Sequence, residues 1–389
     1  MKFAHLADCH IGGWKEEKLK ELGIASFRYA INKCIEENVG FVLIAGDLFN
    51  TSLPDINIIK ETSEILANLK ENDIDCYIIP GSHDFSPSGK TMLDVLEKAG
   101  LVKNVFKFKE DKLIFTIDKT DTKITGILGL RSGLEKEKFK ALPKDHLEEE
   151  NGFKIFMFHT ILEEYKPKDM ENVEGESIKN FPKNFDYYAG GHVHYLLEKE
   201  FGKGKVVYPG PLFPNNFKEL EELKHGRFCI VDDSLNVRRE NIILKETLSY
   251  HINVNEKTPE QVENEILEKI RDYNDKIVLI RVEGILKTGK PSDINFKRIY
   301  ENLKNAYCIL RNTNKLTSKE FSEIKIENGD IEQVEQKIIE ESIKDFKEFG
   351  NSELINLLIH SLDLEKGEGE RNADFEKRVI ESGRKALEI

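Results

Sequence analysis

The sequence predicts a layered α/β domain, followed by a smaller α+β module and a helical tail. Two observations support this prediction. Short apolar segments alternate with amphipathic helical patterns through the first 100 residues, which is typical of a sheet buried on both faces. Further apolar segments recur up to about residue 245, and the pattern then changes near residues 250 and 314. We therefore expect several units rather than one continuous domain.

The first 100 residues contain three predicted strands and three predicted helices. The strands are the apolar runs "KFAHLAD", "FVLIAGD" and "CYIIPG". The helices are "ASFRYAINKCIEEN", "INIIKETSEILANLKEN" and "TMLDVLEKAG". Strands that alternate with helices are usually parallel, so their carboxyl ends should share one edge of the sheet.

Later apolar segments extend this domain over residues 1–245. They are "FKIFMFHT", "DYYAGGHVH", "KVVYPGPLF" and "GRFCIVDD", all interpreted as strands. From residue 250 to 313, "YHINVN" and "KIVLIRVEGIL" predict strands, and "PEQVENEILEKIRDYN" and "FKRIYENLKNAYCI" predict helices. Residues 314–330 are interpreted as a linker. Residues 331–389 are interpreted as short helices, with apolar residues at helical spacing at Ile339, Ile343, Phe346, Leu354, Leu357, Leu358 and Leu362.

Composition narrows the class of protein. The 389 residues are 39% hydrophobic and 33% charged, which is typical of a water-soluble protein with a real core. No run approaches the roughly 18 apolar residues of a membrane helix, and no secretory leader is expected. Five scattered cysteines without CxxC spacing favour a reducing cytoplasm. The net charge of −13 counts against non-specific nucleic-acid binding, but more than half of the excess lies in residues 315–389, so the charge alone decides nothing.

Aspartate and histidine side chains gather at the ends of the predicted strands. The stretches are Asp8-Cys9-His10, Gly46-Asp47, Gly81-Ser82-His83-Asp84, His159 and Gly191-His192-Val193-His194. We expect them to converge, because ligands collect at the carboxyl ends of strands in α/β folds. Carboxylates and imidazoles without cysteine suit manganese, iron or zinc. The sequence therefore predicts a metal centre at this edge.

Each stretch also has an ordinary structural interpretation. A histidine near an aspartate at a strand end is often part of a turn or a satisfied core residue. Asp47 could cap the next helix, and His192 and His194 share a face of any strand simply by alternation. These interpretations do not account for all five stretches in this order, each after an apolar strand, so the metal-binding interpretation is favoured.

The ordered set D-x-H, G-D, G-x-H-D, H and G-H-x-H resembles the calcineurin-like metallophosphoesterase family over about residues 1–215. The segments "LADCHIGG" and "AGDLFN", with the added module and tail, are similar to the Mre-eleven type DNA double-strand-break repair nucleases. The archaeal branch is most similar, and the bacterial SbcD nucleases are related. The resemblance implies an α/β metallophosphoesterase β-sandwich flanked by helices, with a small α+β capping domain that helps to bind DNA.

The same resemblance implies two manganese ions per subunit. It assigns the first ion to Asp8, His10 and His194. It assigns the second ion to His159, His192 and the position of Ser82, with Asp47 bridging both ions. Two such ions would clamp a phosphodiester and activate a water.

Two residues beside these ligands have other implied roles. His83 would contact the phosphate and assist protonation of the leaving group, as an imidazole does near neutral pH. Asp84 is a candidate for orienting that ring, and pairing with backbone amides is an equal alternative.

The sequence departs from the family pattern at two positions. Ser82 stands where the family has an asparagine ligand, and its oxygen lies one bond nearer the backbone, short by roughly 1 Å. We expect a weakened second metal site, with a water filling the gap, and reduced hydrolysis. Asn50 stands where relatives often have a histidine that positions the DNA backbone. Asparagine bonds a phosphate but carries no proton, so the balance of exonuclease and endonuclease activity is open.

The resemblance also implies partners. They are DNA ends, an ABC-type coiled-coil ATPase of the Rad-fifty type bound by the tail, and a second copy of the chain. The homodimer would use the helices "LPDINIIKETSEILANLKEN" and "GKTMLDVLEKAG", whose apolar stripes also pack on their own sheet. Lys136, Lys138, Lys140 and Lys144 could touch phosphates, although such runs are more often solvated surface.

Three functions remain open on the sequence alone. The favoured one is a manganese-dependent DNA nuclease with exonuclease and endonuclease activity, acting in the cytoplasm at the nucleoid. The second is a small-substrate phosphodiesterase, which would need neither the module nor the tail. The third is a DNA-end tethering subunit that has lost hydrolysis, which Ser82 and Asn50 make worth keeping.

Overall fold

The structure is a computed structural model. It describes residues 1–86, 91–129, 143–170, 173, 175–319, 361–362, 364 and 372–386. The chain divides into two compact units, Met1–Ser318 and Lys319–Ile389. Three of the predicted phosphate-contacting lysines, at positions 136, 138 and 140, lie outside the described residues.

The strands that the described residues form are numbered in chain order. They are β1 (Lys2–Leu6), β2 (Phe41–Ala45), β3 (Asp75–Ile79), β4 (Lys103–Asn104), β5 (Phe108–Lys109), β6 (Lys112–Leu113), β7 (Thr116–Ile117), β8 (Lys123–Gly126), β9 (Lys154–His159), β10 (Tyr187–Gly191), β11 (Leu197–Phe201), β12 (Gly204–Tyr208), β13 (Gly226–Asp232), β14 (Val237–Ile242), β15 (Thr247–Asn253), β16 (Ile277–Leu286), β17 (Cys308–Asn312) and β18 (Leu316–Ser318).

The helices of the same residues are numbered likewise. They are α1 (Glu17–Glu36), α2 (Ile56–Glu71), α3 (Met92–Lys98), α4 (Asp145–Glu148), α5 (Phe217–Leu223), α6 (Pro259–Lys269), α7 (Phe296–Asn302) and α8 (Asn372–Ala386). Short 3-10 turns lie at Glu163–Tyr165, Lys168–Met170, Ile178–Asn180 and Pro291–Asp293.

Two six-stranded sheets form the first domain. The first sheet has the order β14-β13-β1-β2-β3-β4, and the second has the order β11-β12-β10-β9-β8-β7. Strands β1 to β4 are parallel, as are β12, β10, β9 and β8. The carboxyl ends of β1, β2 and β3 therefore lie along one edge, and those of β9 and β10 along another.

The sheets pack face to face as a sandwich. Alternate side chains of β1 to β3 join those of β9, β10 and β12 in one buried cluster, which includes Phe3, Phe41, Tyr77, Met157 and Tyr187. The opposite side chains of the first sheet pack on α1, α2 and α3. Because each inner strand is covered on both faces, its sequence is almost continuously apolar. This architecture confirms the predicted layered α/β sandwich flanked by helices.

A third, parallel sheet of β15, β16, β17 and β18 follows, and it packs on α6 and α7. One element was predicted wrongly here. The segment "FKRIYENLKNAYCI" was expected to be one helix, but α7 ends at Asn302 and β17 begins at Cys308. Strand β17 pairs with β16 from Cys308 onward, so sheet pairing overrides the helical spacing of the apolar residues. The bounds of the capping domain and linker remain predictions.

The second unit is described only in part. Helix α8 falls within the segment predicted to be helical, and Leu362 is 49% exposed. The other predicted apolar positions of the tail, from Ile339 to Leu358, lie outside the described residues. Within the described parts of the chain, no helix combines the length and apolar character needed to cross a membrane.

Candidate metal centre

The loops after β1 and β2 run side by side and carry three of the predicted ligands. The amide of Asp8 donates to the carbonyl of Gly46 (3.2 Å), and the amide of His10 donates to the carbonyl of Asp47 (3.0 Å). Asp8, His10 and Asp47 are all buried. Their backbone φ angles are 50°, 42° and 53°, a conformation that residues other than glycine rarely adopt.

The second sheet supplies the three other predicted histidines. His159 ends β9, and His192 and His194 follow β10. The amide of His192 donates to Asp8 Oδ1 at 2.8 Å, which ties the second sheet to the β1 loop. His159 Nδ1 lies 2.8 Å from the carbonyl oxygen of Ala45 at the end of β2. Because a carbonyl only accepts, Nδ1 carries the proton and the neutral ring would have its lone pair at Nε2.

The structure brings these residues into three groups whose ligand atoms lie within 4.8 Å of one another. They are Asp8 with His10 and His194, Asp47 with His159 and His192, and His10 with Asp47 and His83. The first two groups have the same division as the two ion sites expected from the sequence. Their roles as ligands remain predictions.

The first group fits a divalent ion by its spacing. His10 Nε2 and His194 Nε2 are 3.0 Å apart. Two nitrogens each about 2.1 Å from one ion, at right angles to each other, are about 3.0 Å apart. Asp8 Oδ2 is buried and has no hydrogen-bond partner among the described residues. A buried carboxylate oxygen without a partner is costly, and a cation would satisfy it.

Asp47 lies between the two groups. Its Oδ2 is 3.2 Å from His159 Nε2 and 3.6 Å from His10 Nε2, so one oxygen faces a ring from each group. Its Oδ1 accepts the backbone amide of His83 at 2.7 Å. The carboxylate is therefore fixed on one side and shared on the other, the arrangement that a bridging ligand requires.

The protonation states favour metal binding. Burial lowers the pKa of His10 and of His192 to about 3, so both rings are neutral near pH 7 and can act as ligands. Burial raises the pKa of Asp8. Burial also lowers the pKa of His159, but the carboxylates of Asp47 and Asp8 outweigh it and raise the value to about 9. A cation that binds this pair would compete with the proton of His159.

The loop after β3 holds Ser82 and His83. The Ser82 hydroxyl donates to Asp47 Oδ2 at 3.4 Å, so this short side chain reaches the carboxylate that the groups share. His83 Nδ1 lies 2.8 Å from the carbonyl oxygen of Asn50, which fixes the proton on Nδ1. The Asn50 side chain accepts from Asn215 Nδ2 at 3.2 Å.

Asp84 does not orient the His83 ring. Its two oxygens accept the backbone amides of Leu48 (3.2 Å), Phe49 (3.1 Å) and Gly81 (3.0 Å). The alternative considered for this residue, pairing with backbone amides, is what the structure shows. Asp84 therefore joins the loops after β2 and β3, and the carbonyl of Asn50 takes the place expected for Asp84 beside the ring.

Glu219 lies at the site although no sequence pattern indicated it. This residue of α5 places Oε1 2.9 Å from His194 Nδ1. The sequence "NNFKEL" carries a signal for the start of a helix, because Asn216 precedes Glu219 by three residues. Nothing in that signal shows that Glu219 faces a histidine. A cavity of about 270 Å³ lies next to this pair and is lined in part by Tyr195 and Met170.

Lys144, the one described member of the predicted lysine run, precedes α4. Burial lowers its pKa. It is not among the residues of the three groups of candidate ligands.

Fold and site together define a class of protein. A two-sheet sandwich that collects histidines and carboxylates in two groups at its strand ends is the architecture of a metal-dependent hydrolase with two ions. The sequence profile of the calcineurin-like phosphoesterases matches residues 1–196, which is half of the chain. The chain belongs to the calcineurin-like phosphoesterase family, and it is a metal-dependent phosphodiesterase of that family.

The individual relatives of this chain have low sequence identity to it. A protein of Archaeoglobus fulgidus named DNA double-strand break repair protein Mre11 is 25% identical, over 98% of this chain and 88% of its own length. Proteins of the same name from Methanococcus maripaludis and Methanocaldococcus jannaschii are each 28% identical. They are matched over 79% and 61% of this chain, and over 80% and 63% of their own lengths. A solved dimetal phosphatase from Danio rerio has a TM-score of 0.40 and 10% identity, over 62% of this chain and 95% of its own.

Proposed function

We propose that this protein is a manganese-dependent nuclease that processes DNA ends in double-strand-break repair. The position of Asp47 between two histidine groups carries the proposal, because a shared carboxylate allows two ions to act on one phosphodiester. The names of the relatives supply the substrate: they are called DNA double-strand break repair proteins. Both double-strand exonuclease and single-strand endonuclease activity belong to the proposal.

In this proposal the residues divide into holding and proton-transferring groups. Asp8, His10 and His194 would hold the first ion. The second would be held by His159, His192 and Ser82, and Asp47 would be shared. When bound, two divalent ions would supply an activated water and offset charge on the phosphodiester.

The imidazolium form of His83, with protons on both nitrogens, would give its Nε2 proton to the leaving oxygen and keep the Nδ1 proton. Its ring is fixed through Nδ1 by the carbonyl of Asn50, which leaves Nε2 for the substrate. The ring centre lies 4.8 Å from that of His10, so the proton donor stands beside the first group. Asn50 is proposed to meet the DNA backbone.

A substrate comparison tests the nuclease proposal. Duplex DNA, single-stranded DNA and bis-p-nitrophenyl phosphate are each incubated with manganese and the wild-type chain. The proposal expects cleavage of both DNA substrates, and a loss of about 100-fold in Asp47→Asn, at the upper end of the range for residues that support a metal site. Cleavage of the small diester alone would favour a small-substrate phosphodiesterase and remove DNA as substrate.

Ser82 supports a second candidate, a DNA-end tethering subunit with little hydrolysis. Its hydroxyl contacts Asp47, but it offers no carboxamide oxygen to the second ion. Ser82→Asn should raise manganese-dependent cleavage if the second site is weakened by the serine. No gain of cleavage in the variant, together with measurable wild-type cleavage, would show that serine at this position does not reduce hydrolysis.

We also propose a homodimer formed by α2, α3 and the residues that precede α2. Leu53, Ile56 and Val95 on these elements are 74%, 81% and 54% exposed, which is a high exposure for large apolar side chains. Leu53→Glu/Ile56→Glu should shift the mass in light scattering from dimer to monomer. The matched control is Ile243→Glu, at a residue that is 60% exposed and lies directly after β14. A wild-type monomer at micromolar concentration would contradict the dimer.

The proposed cellular partner is an ABC-type coiled-coil ATPase that binds residues 331–389. Helix α8 lies in this segment, and Ile380 on it is 57% exposed, as expected for a helix that docks in a partner's groove. The proposed location is the cytoplasm, at the nucleoid. The five cysteines are free thiols, as in a reducing compartment.

A further inference from the structure

Glu219 is the carboxylate that faces a predicted metal ligand from outside the two groups. Its side chain is 18% exposed, and that of His194 is 20% exposed. Its Oε1 lies 2.9 Å from His194 Nδ1, and its Oε2 accepts the backbone amide of Asn215 at 2.8 Å. Both oxygens are therefore committed, and the carboxylate has a fixed position.

This contact determines which nitrogen of His194 faces the ions. A carboxylate at neutral pH only accepts hydrogen bonds, so Nδ1 carries the proton. The other nitrogen, Nε2, points to His10 Nε2 at 3.0 Å and is left with its lone pair. The ring is thus held at one end by Glu219 and presented at the other end to the first group.

Helix α5, which carries Glu219, is fastened at both ends. Asn216 caps its start by accepting the amide of Glu219 at 3.0 Å. Glu221 pairs with Arg281 of β16, whose Nε lies 3.0 Å from both carboxylate oxygens. After the helix, Thr247 of β15 donates to the carbonyl of Lys224 at 2.8 Å. The third sheet therefore holds the helix that holds His194.

We propose that Glu219 is a positioning residue for the metal centre, and that α5 connects this centre to the third sheet through the Glu221–Arg281 pair. The inference rests on the proposed metal-dependent function. Carboxylates that fix a ligating histidine raise its basicity and hold its ring, and their loss typically costs about 10- to 100-fold in metal affinity. The third sheet would influence the metal centre by keeping α5 in place.

Manganese binding without substrate tests this role. The full chain is titrated with manganese and free ion is measured by electron paramagnetic resonance, for wild type, Glu219→Gln and Glu219→Ala. We expect the affinity of the first group to fall about 10- to 100-fold in Glu219→Ala. Glu219→Gln keeps the shape of the side chain and one acceptor oxygen, so its manganese affinity should lie between those of wild type and Glu219→Ala. The matched control is Glu222→Ala on the same helix, at 59% exposure, which should bind like wild type.

The outcomes separate the role of Glu219 from the fold and from the nuclease proposal. Wild-type affinity in Glu219→Ala overturns the positioning role. If Glu219→Ala fails to fold, Glu219→Gln decides, because wild-type affinity in this isosteric variant also overturns the role. A wild-type chain that binds no manganese overturns the proposed function and this inference together, whereas wild-type binding that Glu219 variants leave unchanged overturns only the inference.

Arg281→Ala tests the connection to the third sheet. It removes the bidentate pair with Glu221 and leaves every predicted ligand in place. We expect a loss of manganese affinity of a few-fold, smaller than in Glu219→Ala, with an unchanged near-ultraviolet circular dichroism spectrum. Affinity equal to wild type overturns the connection, and the role of Glu219 is then judged by its own variants.

Discussion

At the scale of single residues, the candidate site holds its ligands in costly backbone conformations. Asp8, His10, Asp47 and His192 all have positive φ angles, from 42° to 93°. Such conformations cost about 1–3 kcal/mol each for residues other than glycine. Hydrogen bonds between the loops maintain them, as where His10 donates to Asp47 and His192 to Asp8. The loops therefore hold the side chains together before any ion binds.

The sequence predicted which residues would meet, but not how their neighbours hold them. Spacing and position at strand ends were sufficient to bring Asp8, Asp47 and His159 into one prediction. The sequence left two roles open for Asp84 and did not indicate the contact of Asn50 with the His83 ring, because both roles depend on backbone groups of another loop. Glu219 was missed because it lies 25 residues after His194, on a helix whose orientation depends on tertiary contacts with α1 and the third sheet.

A buried histidine outside the site predicts acid sensitivity. His5 is fully buried in the sandwich, with Nδ1 2.9 Å from the hydroxyl of Tyr187, and burial lowers its pKa to about 3. The unfolded chain binds a proton near pH 6.5 and the folded chain does not. Stability from this residue is thus complete above pH 6.5 and is lost as pH falls towards 3, by about 1.4 kcal/mol per pH unit.

His5→Gln should remove this component of the pH dependence. Urea unfolding between pH 7.5 and 5 measures it, with manganese absent in all samples. Relative to wild type, the slope of the free energy of unfolding against pH should decrease by about 1.4 kcal/mol per pH unit, which corresponds to one bound proton. Ser26→Ala, at a buried residue without an ionisable group, is the control and should keep the wild-type slope. Equal slopes in wild type and His5→Gln would contradict a neutral His5.

At the scale of strands and helices, most of the strands that were predicted correctly from the sequence are buried on both faces. Strands β1, β2, β3, β9 and β10 are covered on both faces, so their apolar runs were recognisable. Strands β4 to β7 have two residues each, too short for any pattern, and half of the residues of β14 are exposed, with charged residues among them. The error at α7 has a related cause: β17 is partly exposed, and its residues match a helical spacing as well.

The ends of β10 and β2 approach so closely at the site that only glycine fits at position 191. A Cβ on Gly191, at the end of β10, would overlap the carbonyl oxygen of Ala45 at the end of β2. The same carbonyl holds the His159 ring. Gly191→Ala should therefore separate the two strand ends, destabilise the chain by about 1–3 kcal/mol and weaken manganese binding.

Thermal unfolding and manganese titration measure the two effects of Gly191→Ala. The control is Gly23→Ala in α1, where an added Cβ meets no atom within 4 Å. That substitution should be neutral or stabilising, since alanine is favoured over glycine in a helix. Unchanged manganese affinity in Gly191→Ala would show that the strand ends tolerate separation.

At the scale of the whole molecule, the division after Ser318 predicts a separable tail. Deleting residues 331–389 should leave the first unit folded, with wild-type cleavage of bis-p-nitrophenyl phosphate. The same deletion should abolish the complex with the proposed ATPase partner in size-exclusion chromatography. Retained binding would place the partner's contact in the first unit, and lost hydrolysis would show that the tail contributes to the metal centre.

Each of the two groups of predicted ligands draws residues from both layers of the sandwich. Asp8, His10 and Asp47 follow strands of the first sheet, whereas His159, His192 and His194 come from the second. Neither layer alone possesses a complete set of predicted ligands, so an ion at either group would be bound only after the layers have docked. The rate of unfolding should consequently decrease as the manganese concentration rises. The rate of the early refolding steps should be the same with and without manganese, because they precede the docking of the layers.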